Sequence, residues 1–204
     1  MLLEKAYAKL YYGYLNIGQG GVSYRALQNL TGAPGERIYF SKAENLWKKI
    51  AEFDQKKFIM TTGAASNSNG LRSCHAYSLL GAHTINGEKV VELRNPWGKT
   101  EWQGAWGDNS GNWTPALKEK YHPQGTKDDG RFFMSFNDYT QHFEDLDVCY
   151  YHDNYTLSSF NDELDSDFIG CYKATVSTGE YYVILSQEDS NAFNPKEGQG
   201  KKKN

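Results

Sequence analysis

The sequence predicts an α+β fold, and three observations carry that expectation. Apolar side chains recur at helical spacing in four separate segments, two short apolar runs flank an Asn86-Gly87 pair, and alternating β-branched and aromatic residues return near residues 170–187.

In order along the chain, Leu3, Tyr7, Leu10 and Tyr14, with Ala6 and Tyr11 beside them, predict one helix over residues 2–15, ended by Gly18, Gly20 and Gly21. Ser23 is placed to cap a short helix to Leu30, and Gly32 to Gly35 break the chain. Arg37 to Phe40 read as a short extended segment. Ser41 and Glu44 have capping-box spacing, and Leu46, Trp47, Ile50 and Phe53 form one face of a helix to about Gln55. Lys57 to Thr62 is short and apolar enough for a strand, and a loop of small and polar residues, Gly63 to Gly70, leads to His75.

The runs HAYSLLGA from His75 and KVVELRN ending at Asn95 are then two strands of a hairpin, because Asn86-Gly87 supplies the two positive-φ residues of a two-residue turn. Residues 99–130 hold five glycines and three tryptophans with few periodic positions, and read as a long ordered loop. Arg131 to Met134 reads as a strand, and Ser135 with Asp138 starts a helix whose Phe136, Tyr139 and Phe143 face the core. From Glu144 to Phe168 eight carboxylates occur without a Lys or Arg, which places a boundary between a first domain, 1–145, and an acidic linker with following strands, 146–204. The strands are GCYKATV and EYYVILSQ, too few to close a sandwich.

A chain of 204 residues with 39% hydrophobic and 15% aromatic content buries one good core. A formal net charge of −3, with Lys201 to Lys203 as its one cationic run, excludes a general nucleic-acid surface. Cys74, Cys149 and Cys171 are odd in number and widely spaced, against a disulfide framework or a zinc knuckle and in favour of a reducing compartment. Glu4 and Lys5 stand where a secretory signal needs its apolar centre, and no run approaches the ~18 apolar residues of a membrane span. A soluble cytoplasmic protein is expected.

A histidine and an asparagine at matching ends of paired strands make two-thirds of a Cys-His-Asn site, in which imidazole deprotonates a thiol and the amide fixes the imidazole tautomer. The run His75-Ala76-Tyr77-Ser78, then Arg94-Asn95-Pro96-Trp97-Gly98, Glu101-Trp102 and Gly104-Ala105-Trp106-Gly107-Asp108 resembles the second half of a calpain protease core. The opening LLEKAYAKLYYGY and the later FFMSFNDY resemble that family in the same order, so the likeness covers roughly residues 1–150. It implies a papain-like half-domain with His75 as general base, Asn95 as its orienting amide and Trp97 shielding their hydrogen bond, followed by the start of a β-sandwich. It also implies a protein or peptide substrate.

One geometric conflict accompanies this reading. With a strict two-residue turn at Asn86-Gly87, residues i and 173 − i pair, and His75 falls on the face opposite Asn95. A register irregularity between Leu79 and Leu93 is therefore expected. No cysteine is a convincing nucleophile: Cys74 adjoins His75 and is expected to point to the other face of a strand, while Cys149 and Cys171 lack the Cys-Trp pair at a helix start that the resemblance to calpains implies for the nucleophile. The Cys-bearing half of the core is expected on a segment outside this chain.

By the same resemblance Glu101, Asp108 and Asp129, with the Lys127 carbonyl, match a calcium site of hard oxygen ligands, in which Arg131 stands in place of an expected acidic ligand. The function implied is part of a calcium-dependent intracellular cysteine endopeptidase. Two alternatives stand beside it: a non-catalytic calpain homologue acting as a calcium- or protein-binding scaffold, and a complete small calcium-binding module.

Overall fold

A computed structural model describes residues 2–18, 20–122, 125, 128–160 and 171–185. Two compact units divide the chain, one of residues 23–157 and one of residues 1–22 with 158–204.

In the smaller unit the expected single helix is two: α1 over Leu2–Leu10 and α2 over Tyr14–Ile17. Tyr12 (φ 59°) and Gly13 (φ 128°) interrupt them, because left-handed backbone cannot continue a right-handed helix. Residues 171–185 of this unit carry no strand.

The larger unit is one antiparallel sheet with helices against it. Its strands are β1 (Gly35–Tyr39), β2 (Ile59–Ala64), β3 (Ala76–Ile85), β4 (Glu88–Arg94), β5 (Arg131–Ser135) and β6 (Phe143–Cys149), in the order β1-β6-β2-β3-β4-β5. The helices are α3 (Ser23–Thr31), α4 (Leu46–Gln55), α5 (Pro115–Tyr121) and α6 (Phe136–His142). The papain-like α+β expectation is met in this unit. Tyr77, Leu93, Phe132, Phe133, Met134 and Leu146 are among its fully buried side chains.

Several elements differ from the expectation. β6 occupies the start of the acidic segment and carries the sheet past residue 145 to Cys149. Its carboxylates are neutralised from a distance: Arg37 of β1 bonds Asp147 through Nε and a terminal nitrogen at 2.7 and 2.8 Å and meets Asp145 at 3.2 Å. The same Asp147 accepts the Ser23 and Tyr24 N–H groups, so α3 is capped from β6 and not by the Ser23 hydroxyl. α4 likewise starts after Asn45 in a left-handed conformation without a side-chain cap, and the Ser41 region is a 3₁₀ turn. α5 interrupts the long loop after Thr114, whose hydroxyl accepts the Leu117 N–H, with Pro115 at the first helical position. α6 begins as expected, the Ser135 hydroxyl accepting from Asp138 N–H.

The hairpin decides the geometry that follows. Ile85 pairs with Glu88 across Asn86 (φ 52°) and Gly87 (φ 84°), and pairs summing to 173 run to Gly81↔Glu92. There Leu80 is left over, half-exposed, and the ladder resumes at Leu79↔Leu93 and Ser78↔Arg94, which sum to 172. This bulge is the irregularity that the sequence demanded. Continued outward, the shifted register sets His75 and Asn95 on one face.

Candidate active site

His75 precedes the first residue of β3 and Asn95 follows the last of β4, so both are held by the hairpin's open end. The imidazole Nε2 lies 2.8 Å from Asn95 Oδ1. Asn95 is fully buried, and its amide nitrogen donates to the Lys99 and Thr100 carbonyls at 2.8 and 3.0 Å. Both amide protons are thus used, and the oxygen, which also accepts Trp97 N–H at 3.1 Å, has only acceptor capacity towards histidine. His75 must carry its proton on Nε2, and the lone pair of the neutral ring is on Nδ1. The Trp97 ring, 56% exposed, lies against the imidazole with centroids 4.2 Å apart.

The expectation that Cys74 stands on a strand and points to its other face is not met, because β3 begins only at Ala76, and Cys171 is exposed. Cys149 is fully buried in β6 beside the Thr31 hydroxyl at 3.5 Å. Cys74 is exposed, in left-handed backbone (φ 52°), before an irregular His75.

Behind Asn95 the tryptophan-rich loop is packed by its own indoles. Trp102 Nε1 donates to the Ala105 carbonyl at 2.9 Å, and Trp113 Nε1 to the Trp106 and Gly107 carbonyls at 3.2 and 3.0 Å. The loop encloses a cleft of about 660 Å³ whose lining includes Glu101, Asp108, Ser110 and Asp128. Glu101 Oε1 accepts the N–H groups of Asp129 and Gly130 at 2.9 and 2.7 Å. Gly130 (φ +86°) in turn offers its carbonyl to Asn95 N–H at 2.7 Å, and a Cβ there would stand 2.4 Å from the Asn95 carbonyl oxygen.

Charge is crowded in this loop. Burial, with repulsion from Asp108 and Asp128, pushes Glu101 up to about 7 against the opposing bonds from Gly130 and Asp129. Burial and the neighbouring Asp129 push Asp108 up to about 6, and its Oδ1 is buried without a hydrogen-bond partner among the described residues. Among the described residues no three His, Cys, Asp or Glu side chains are already assembled around a metal position. Lys127 lies outside the described residues.

Arg131 is committed elsewhere. Its Nε bonds Glu92 at 2.5 Å, and the other oxygen of Glu92 meets His83 Nε2 at 3.1 Å. Burial alone would raise Glu92, yet the His83 and Arg131 bonds hold it below the usual carboxylate range. Sequence reasoning missed this buried acid, which sits unmarked inside an apolar run and takes its partner from another strand.

A family model described as Calpain family cysteine protease matches residues 1–150. The chain belongs to the calpain family. This calpain-family chain is 36% identical over 163 residues to the calpain-type cysteine protease ADL1 of Oryza sativa subsp. japonica, covering 72% of itself and 8% of that protein. It is 34% identical over 232 residues to the calpain-2 catalytic subunit of Gallus gallus (97% and 32%), and 38% over 158 residues to human calpain-14 (72% and 23%). It therefore spans at most 32% of the length of these relatives.

Proposed function

We propose that this chain is the base-bearing part of a calpain-type cysteine endopeptidase, acting on protein or peptide substrates. The observation that supports it is the His75 Nε2 to Asn95 Oδ1 bond, which leaves Nδ1 as the basic atom. A thiol placed at Nδ1 would lose its proton to that nitrogen and attack the scissile carbonyl as thiolate. The imidazolium would then protonate the departing amine as the acyl-enzyme forms, and a water deprotonated by the same nitrogen would release the acid and regenerate the thiol. Asn95 holds the ring in the tautomer that makes Nδ1 available, and Trp97 covers one face of the imidazole. The thiol belongs to a partner half of the protease core.

The test joins this chain to a calpain-type half carrying a Cys-Trp helix start, fused upstream or supplied in trans. Thiol-dependent peptide hydrolysis should require both halves, and the chain alone should be silent. A properly folded fusion without turnover would leave the scaffold reading in its place.

Calcium is the cation proposed for the loop, with Glu101, Asp108 and Asp129 as oxygen donors and the Lys127 carbonyl as a further one. The buried, unpartnered Asp108 Oδ1 and the mutual repulsion of the loop carboxylates fit a hard divalent cation, which would neutralise them and order the segment behind Asn95. With Arg131 in place of an acid, we expect a Kd no tighter than about 10⁻⁴ M. Calorimetry should show that weak binding lost in Asp108→Asn. Arg131→Glu should tighten it while lowering calcium-free stability, because Glu92 would then face a carboxylate; tight binding to the unaltered chain, or none in Arg131→Glu, would contradict the assignment.

No helix among the described residues is long and apolar enough to cross a membrane. A cytoplasmic location is proposed from the unpaired cysteines.

A further inference from the structure

The backbone around His75 is poorly constrained. The residue lies outside β3, follows left-handed Cys74, and its carbonyl receives only a long bond, 3.4 Å, from Ala64 N–H. The direction of the imidazole must therefore come from side chains. Of its two aromatic neighbours Trp97 is half in solvent, whereas Tyr77 is 1% exposed and meets the imidazole edge-on, with centroids 5.0 Å apart at 82°. Tyr77 is itself locked: Phe132 and Phe143 pack edge-to-face on its ring at 6.0 and 5.5 Å, and its backbone pairs with Thr62 of β2. Its hydroxyl accepts the Arg72 N–H at 2.8 Å, which ties the segment entering His75 to the core.

We infer that Tyr77 is the positioning residue of the site: its ring walls the imidazole towards Asn95, and its hydroxyl fixes the approach from Arg72, so that His75 keeps one tautomer and one direction. The inference rests on the proposed role of His75 and Asn95. Continued one residue beyond Ser78↔Arg94, the shifted register behind the Leu80 bulge aligns Tyr77 with Asn95, so one fully buried residue touches the base, shares a face with its orienting amide and anchors the incoming loop. Phenylalanine would keep the wall and lose the anchor. The part-buried Arg72 N–H would then lose its protein acceptor, and an alternative loop path, with the ring turned from Asn95, becomes accessible.

The test uses the full chain with ¹⁵N-labelled histidine and reads the His75 ring nitrogens and the Arg72 amide by NMR. Tyr77→Phe should preserve the circular dichroism spectrum, speed Arg72 amide exchange about tenfold, and convert His75 from a single Nε2–H tautomer to a mixture. Loss of stability alone would not change the tautomer within the folded population. Should Tyr77→Phe not fold, Arg72→Pro removes the same bond from its exposed end and should give the same mixture. Asn95→Ala is run in parallel. A changed tautomer in Asn95→Ala with wild-type signals in Tyr77→Phe overturns the positioning role and leaves the base site standing; an unchanged tautomer in both overturns the two together.

Discussion

His75→Ala should abolish thiol-dependent peptide hydrolysis in a protein that joins this chain to a Cys-bearing calpain half. General acid–base catalysis contributes roughly 10²–10⁴-fold, and here one ring serves both the activation of the thiol and the protonation of the leaving amine. Asn95→Ala should retain more activity, a loss nearer the ~10²-fold end, because the amide selects a tautomer and transfers no proton. Its burial and four hydrogen bonds, to His75, Trp97, Lys99 and Thr100, predict that part of that loss is positional. Cys74→Ser should change little. The steady-state rates of the three variants decide the matter: activity lost in Cys74→Ser and kept in His75→Ala would place the site on other residues.

The second large effect is on stability. Asp147→Ala should cost about 3 kcal/mol, the lower end for breaking a buried ion pair, because Arg37 at 25% side-chain exposure recovers some hydration. For a chain of this size that corresponds to a fall of roughly 6–12 °C in Tm. Four hydrogen bonds vanish at once: the two from Arg37 and the two from the N–H groups that open α3. Asp145→Ala should cost less, since burial already disfavours its charge and Arg37 only partly opposes that. Urea unfolding of both variants measures the difference; equal, small losses would show that the pair does not tie α3 and β1 to β6.

The parts legible in the sequence were those with local causes. The Asn86-Gly87 turn, the Ser135 cap and the periodicity of α4 each depend on residues a few positions apart. The bulge was legible too, because a strict turn and a shared His75–Asn95 face are incompatible, and one extra residue in a strand is the least change that reconciles them. The opaque parts depend on distant partners. Asp145 and Asp147 made β6 read as an acidic linker, since their cation, Arg37, is 110 residues away from Asp147. Arg131 read as an intruder in a cation site because nothing nearby announced Glu92. The Thr114-Pro115 start of α5 was a readable signal passed over for the glycines around it.

The place of β6 in the sheet bears on how the chain acquires its structure. The β3-β4 hairpin closes over two residues and can form early, whereas Gly35 must wait for Cys149 before β1 has any partner. During synthesis β1 and one side of β2 are therefore open edges until β6 slots between them, which is the condition under which strands find wrong partners. The base site should thus be assembled at its hairpin end before the sheet that supports it is complete. Slow, concentration-sensitive refolding, governed by residues of β1 and β6 and not by those of the turn, is the kinetic signature that follows.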